Sequence, residues 1–403
     1  MKILVVNCGS SSIKFQVYDA DGAQTLVKGI VAKIGEDGAY LAKETYGAKF
    51  KQETVVLNHR AGFDLMMKTL LNEEEVLRNI SEISAVGHRV VHGGDVFTKS
   101  VLITEETIRK LEELTPIAPL HNPAILVGIK EAKRILPNIP HVAVFDTTFH
   151  QTMPSKAYLY ALPYTYYETH KIRKYGFHGT SCRYISQKAA EIMGKSLEEL
   201  KMVVCHLGNG VTVAAIKGGN SIDTSMGFTP LEGLIMGTRS GDIDPGVIFF
   251  LQQHVGLTID RINDLLNRES GLLGISGVSN DMKEIEKRAT SGDKRCKLAI
   301  EMFAYRIKKY IGAYAAVMGG INTLVFSAGI GEGSPSIRAM ICDGLEFLGI
   351  QLEERENRDS RRYERIISTP DSKVQVLVIP VNEEEIIVMD TLAVAGLRSK
   401  WAT

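Results

Sequence analysis

KILVVNCGSSSIKFQVYD (2–19) and KMVVCHLGNGVTVAAIKGG (201–219) follow one plan: an apolar run, a small polar turn and an alternating return strand. KILVVN (2–7) has the continuous apolar character of a buried strand, and IKFQVYD (13–19) alternates like a second, so 2–19 reads as a hairpin. In the second copy KMVVCH (201–206) is the strand, LGNG the turn and VTVAAIKGG the return. About half the chain separates the copies, which reads as a duplicated domain whose two turns face one cleft.

Strands and helices alternate around these hairpins, the grammar of an α/β protein. NPAILVGIKEAKRIL (122–136) is a helix, with Asn122 as cap and Pro123 at the first helical position. HVAVF (141–145) is a short buried strand ending at Asp146. Residues 297–318 form a long helix closed by Gly319 and Gly320, and INTLVF (321–326) is a strand. SAGIGEGSP leads into a helix capped by Ser334, with Pro335 first; VQVLVIP (374–380) is the final strand before VNEEE and a last helix. A chain of 403 residues suits two or three domains. The expectation is two related α/β domains, 1–150 and 151–384, each a mixed sheet flanked by helices, with an interdomain cleft. The last helix, 385–403, returns to the first domain.

The 47 basic and 47 acidic residues balance, which disfavours a nucleic-acid binder or a polybasic membrane-surface protein and leaves room for a local basic pocket. The five cysteines (Cys8, Cys182, Cys205, Cys296, Cys342) are scattered without C-x-x-C, so neither a disulfide framework nor a cysteine zinc site is expected. MKILVV is too short for a signal-peptide core, and no apolar run approaches a membrane span. The sequence reads as soluble and cytoplasmic.

Three turns could hold phosphates: NCGSSSIK (7–14), HLGNG (206–210) and SAGIGEG (327–333). Glycine lets backbone N–H groups approach an anion, and the third turn opens a helix, whose amino end favours negative charge. None matches the Walker A pattern, and each alone is weak; the set of three is stronger. In GHRVVHGG (87–94), His88 and His92 imitate a helical zinc pair, but the β-branched run and three glycines argue against a helix and so against the metal. Arg89 between them suits a carboxylate or phosphate, a structural ion pair being the other reading. His121 in APLHNP (118–123) and His178 in YGFHGTS (175–181) each stand just before a helix start, the second capped by Thr180 or Ser181. GTRSGD within TPLEGLIMGTRSGDIDPG (229–246) presents Arg239 in a run of small residues. Asp146 could bind metal through water, orient an arginine or take part in catalysis. The glutamates of VNEEE (381–385) suit Mg²⁺ as well as a helix macrodipole.

From residue 3 to about 395 these segments, with VFDTTFHQTMP, ESGLLGISG and NEE, resemble the acetate kinase family, within the superfamily of acetate and sugar kinases, Hsp70 and actin. The resemblance implies duplicated ribonuclease H-like (actin-like ATPase) domains. It also implies a carboxyl-acceptor phosphotransferase that moves the γ-phosphoryl of ATP reversibly to acetate, or alternatively to propionate or butyrate. Asn7 and Glu383 would hold Mg²⁺, with Mn²⁺ also suited. Lys14, His206, Leu207, Gly208, Asn209, Gly210, Asp281, Met282, Lys283, Gly329, Ile330, Gly331, Glu332 and Gly333 would contact ATP or ADP. Arg89 would bind the carboxylate or acyl phosphate; Val91, Leu120, His121, Phe177 and Pro230 would line the acyl pocket. Arg239 and His178 would stabilise the phosphoryl group in flight, and Asp146 is the family's usual proton donor or acceptor. A homodimer is implied. Cys182 replaces a family histidine, Gly333 an asparagine and Lys283 an arginine. A non-catalytic nucleotide switch on the same fold would lack the Arg89/Arg239 pair.

Overall fold

The computed structural model describes residues 1–72, 76–119, 121–359 and 363–399. Contacts divide the chain into two compact units, Met1–Thr148 with Asn382–Thr403, and Phe149–Val381.

The first unit is built on an eight-stranded sheet: β1 (Lys2–Cys8), β2 (Ser12–Asp19), β3 (Gln24–Ala32), β4 (Tyr40–Thr45), β5 (Ala48–Glu53), β6 (Ile83–Val90), β7 (Val101–Leu102) and β8 (His141–Phe145). Its order is β5-β4-β3-β2-β1-β6-β8-β7. β1 to β5 form an antiparallel meander, while β1, β6 and β8 run parallel. Because successive side chains of a strand point to opposite faces, β1 feeds two cores. Leu4 and Val6 pack with Phe63, Met66 and Leu70 of the helix His59–Leu71. Ile3 and Val5 pack with Ile387, Val388 and Leu392 of the helix Glu383–Val394. Burying each such side chain stabilises the unit by roughly 1.5–3 kcal/mol, which fixes the last helix against the sheet.

The second unit carries β9 (Lys201–Leu207), β10 (Val211–Lys217), β11 (Asn220–Thr224), β12 (Thr323–Ser327), β13 (Arg365–Ile366) and β14 (Gln375–Val378), in the order β11-β10-β9-β12-β14-β13. Here β9, β12 and β14 run parallel. The five-strand series β3-β2-β1-β6-β8 and β11-β10-β9-β12-β14 therefore share order and direction, so the repeated hairpins are the first two strands of a duplicated sheet. The helix Lys294–Met318 is capped by Asp293 and closed by Gly319 at φ 67°; it buries Ala299, Phe303, Ala304, Ile307, Ile311 and Tyr314 at helical spacing.

Several local expectations differ from the structure. The helix at 122 starts at Asn122 itself with His121 in the cap position, and the Asn122 side chain is buried, its Nδ2 3.4 Å from His92 O. Thr180 and Ser181 lie inside the helix Gly179–Met193, and His178 takes the cap position at φ 56°. SAGIGEG is not an open turn: Ala328–Gly333 is a short helix. The last helix begins at Glu383 rather than at 385, and ends at Val394. GHRVVHGG is strand through Val90, as the argument against a zinc pair requires.

Candidate active site

In the first unit, parallel pairing of β6 with β8 sets Arg89 opposite Val144, and Asp146 N–H donates to Val90 O at 2.9 Å. Both functional side chains thus leave the same ends of neighbouring strands. Arg89 binds Asp146 at two points, Nε to Oδ1 at 3.1 Å and Nη2 to Oδ2 at 2.6 Å. The Asp146 side chain is 1% exposed and that of Arg89 16%. Glu383 Oε2 lies 3.8 Å from Arg89 Nε. Burial works against the Arg89 charge, but Asp146, Glu383 and Glu384 outweigh it and hold the guanidinium above its ordinary pKa.

β1 and β2 bring Asn7 directly opposite Lys14. Both line a cavity of about 550 Å³ together with Glu384. Burial, then the neighbouring Glu383, raises the Glu384 carboxyl above the usual range, while Arg89 and Lys14 pull it down. Glu384 thus shares a cavity with Asn7 and Lys14, while Glu383 is the glutamate 3.8 Å from Arg89. Two adjacent half-buried carboxyls, Glu383 and Glu384, with the Asn7 side chain lining the same cavity as Glu384, offer oxygen donors of the kind that suit a divalent cation. Val91 is half-buried just after β6 against the core around Phe97 and Phe145. His121 is half-buried at its helix start. Leu120 lies outside the described residues.

In the second unit, His178 and His206 stack with ring centroids 4.3 Å apart, and His178 Nδ1 lies 2.9 Å from Thr212 Oγ1. The left-handed His178 backbone is steadied from behind. His150 Nε2–H donates to Phe177 O at 3.0 Å, which leaves Nδ1 to accept from the Ser221 hydroxyl at 2.8 Å. A methyl group at Gly210 would lie 3.3 Å from His178 Cε1 and 3.8 Å from Arg239 Nη1, so the imidazole and the guanidinium approach one glycine. Arg239 Nη1 reaches only Pro230 O at 3.5 Å and Met236 Sδ at 3.8 Å. Among the described residues no carboxylate lies within ion-pair distance of it, and burial lowers its pKa with nothing opposing. A half-buried, uncompensated guanidinium is costly by itself and is suited to an anion.

The predicted ATP segments are also assembled here. His206 and Leu207 end β9, Gly208 N–H donates to Gly210 O across the turn, and Ser327 at the end of β12 pairs with His206. A side chain at Gly331 would touch Cys205 O and Leu207 Cβ at 3.6 Å, whereas Gly329 and Gly333 face open space. Glu332 Oε1 accepts from Val381 N–H at 3.2 Å, and burial raises its carboxyl. Asn280 Nδ2 donates to Asn209 Oδ1 at 3.1 Å, tying the turn to the segment where Asp281 caps the helix that carries Met282 and Lys283. Phe177 is buried and Pro230 half-buried beside them. The buried Arg338 was not foreseen: it donates to Gly331 O and Glu332 O at 2.8 and 2.9 Å and so closes the short glycine-rich helix. Only its place one turn after SAGIGEG hinted at this.

Two mixed sheets of the same strand order, carrying glycine segments at adjacent parallel strand ends and an arginine without a counterion, define the duplicated ribonuclease H-like architecture of the actin-like phosphotransferases. Within that class the assignment is specific. The Acetokinase family profile matches residues 2–389, and the chain belongs to that family. It is 54% identical over 394 residues to the acetate kinase of Thermotoga maritima, covering 97% of this chain and 98% of that one. The crystal structure of Porphyromonas gingivalis acetate kinase superposes with a TM-score of 0.92 at 46% identity, covering 98% of this chain and 99% of that one. A propionate kinase from Francisella tularensis superposes at 0.91 with 41% identity, covering 97% and 99%. Among the described residues no helix is long and apolar enough to cross a membrane.

Proposed function

We propose that this protein catalyses the reversible, Mg²⁺-dependent transfer of the γ-phosphoryl group of ATP to acetate, giving acetyl phosphate and ADP. A carboxylate oxygen of acetate forms the new P–O bond as the bond to the β-phosphate oxygen breaks. The acceptor is already ionised at neutral pH, so no base is required and no covalent protein intermediate is invoked. The observation that carries this reading is Arg239, half-buried beside His178 with, among the described residues, no carboxylate to neutralise it. Its charge is free for a phosphoryl group, where such an arginine is worth about 10³–10⁵ in rate. Arg89 binds the acyl substrate, oriented by Asp146, which makes Asp146 a positioning group. The glycine segments, Lys14 and the 281–283 stretch hold the nucleotide, and Val91, Leu120, His121, Phe177 and Pro230 bound the acyl group. Asn7 with Glu383 and Glu384 holds Mg²⁺ or Mn²⁺, which when bound neutralises phosphate charge.

The five cysteines are all free and buried, which suits a reducing cytoplasm. The helix Gly246–Gln253 buries none of its residues, which supports pairing with a second copy of the chain. The test is trapping of acyl phosphate as hydroxamate, with ATP and acetate, propionate or butyrate. Acetate should give the largest kcat/KM; propionate ahead would move the assignment to a propionate kinase, and no acyl phosphate from any acid would overturn it.

A further inference from the structure

ESGLLGISG (269–277) has no part in the chemistry proposed above, yet it is bonded closely to the loop that carries Arg239. Ser270 N–H donates to Thr238 O at 2.9 Å, Leu272 N–H to Met236 O at 2.8 Å and Leu273 N–H to Gly237 O at 2.9 Å. These donors stand at the start of the helix Gly271–Ser276, where N–H groups have no intrahelical partner. Ser270 makes no side-chain cap bond, so carbonyls of the arginine loop cap the helix instead. Two further bonds complete the attachment, Ser240 N–H to Leu266 O and the Thr238 hydroxyl to Asn267 O, both 3.0 Å. Gly271 sits at the closest approach, with φ +63°. A methyl group there would lie 2.2 Å from Met236 O and 2.6 Å from Arg239 O, so the segment can close on the loop only with glycine.

We propose that residues 266–273 are a backbone clamp for the catalytic arginine, with Gly271 and Thr238 as its positioning residues; the inference rests on the role given to Arg239 above. A guanidinium can be oriented by a carboxylate, but that partner spends part of its charge. Holding it by the main chain instead orients the group and leaves the whole charge for the transition state, which is what preorganised electrostatic stabilisation requires. Five hydrogen bonds to the loop and, among the described residues, no ion pair on the side chain are that arrangement.

The test compares Gly271→Ala, Thr238→Val, Thr238→Ser and Arg239→Ala, and Thr238→Val combined with Arg239→Ala, in the full chain with ATP and acetate. A small misplacement of a catalytic group costs on the order of 10²-fold. Gly271→Ala should therefore lower kcat about 100-fold, with KM for both substrates within about threefold of the parent. Thr238→Val should lose about tenfold, and Thr238→Ser, which keeps the hydroxyl, should restore most of it. On the Arg239→Ala background, Thr238→Val should remove no further turnover, because its effect passes through the missing guanidinium. Equal losses on both backgrounds, or valine and serine variants that differ in melting temperature but not in turnover, overturn the clamp. Near-normal turnover of Arg239→Ala alone instead overturns the role of Arg239, and the clamp with it.

Discussion

Arg89 and Asp146 meet in a two-point ion pair, 2.6 and 3.1 Å, with both carboxylate oxygens engaged and the carboxyl 1% exposed. A carboxylate bridged by a guanidinium at both oxygens is placed to hold that group rather than to shuttle a proton. On the function proposed above, its work is to keep the planar guanidinium in one orientation. Asp146→Asn should raise KM for acetate about tenfold or more and destabilise the first unit by about 3 kcal/mol, since it leaves a buried charge without its partner. The shape of the pH–rate profile should be unchanged. Loss of one limb of that profile in the variant would show proton transfer through Asp146 instead.

Val91 lies two residues after Arg89 and packs, half-buried, on the core around Phe97 and Phe145. A methylene in an apolar pocket is worth about 1–3 kcal/mol. Val91→Ala should shift the ratio of kcat/KM for propionate over acetate upward by about tenfold. Competition assays measure this directly, and an unchanged ratio would remove Val91 from the pocket.

Where local pattern decides, the sequence is readable. Apolar runs at 2–7 and 201–206 and the helical spacing of 297–318 name their elements because each buries its own face. β5 (AKFKQE) is exposed at all six positions, so no alternation marks it, and β3 to β5 went unread. SAGIGEG looks like a phosphate loop because of its glycines, yet Arg338 draws its carbonyls into a short helix from one turn further on. Arg89 and Asp146 were each legible as chemistry, but their pairing depends on β6–β8 register, which no local signal contains. The attachment of 266–273 to the Arg239 loop is almost wholly backbone hydrogen bonding, and side-chain identity carries no trace of it except Gly271 and Thr238.

Three buried imidazoles make stability depend on pH. His141 Nε2–H donates to Leu136 O at 2.9 Å, so its Nδ1 accepts from His88 Nε2–H at 3.0 Å. Burial lowers the pKa of His88 well below the ordinary value, lowers that of His141, and brings that of His150 to about 4. The unfolded chain takes up these protons near pH 6.5 and the folded chain does not. Unfolding therefore binds protons, and stability is full above pH 6.5 and declines as pH falls from there towards 4. Each fully protonated unfolded imidazole contributes roughly 1.4 kcal/mol per pH unit. Urea unfolding at pH 7.5, 6.5 and 5.5 should show a downward trend that is shallower in His150→Gln. A flat profile would mean that these rings take up protons over the same pH range folded as unfolded.

The helix Gly246–Gln253, sequence GVIFFLQQ, presents an apolar surface that the chain itself leaves uncovered. Phe249 is 58% exposed, Phe250 57% and Val255 54%, with Val247 and Ile259 alongside. Fully burying a phenylalanine is worth roughly 1.5–3 kcal/mol, and about half that here because each ring is already half-covered. The same surface on a second copy would meet it about a two-fold axis, the commonest way for such a patch to be closed. Sedimentation of the protein should give twice the chain mass at micromolar concentration. Phe249→Asp with Phe250→Asp should give the single-chain mass with the circular dichroism spectrum retained. Dimers that persist in the double variant would place the contact elsewhere, and a monomeric parent would leave this helix to a different partner.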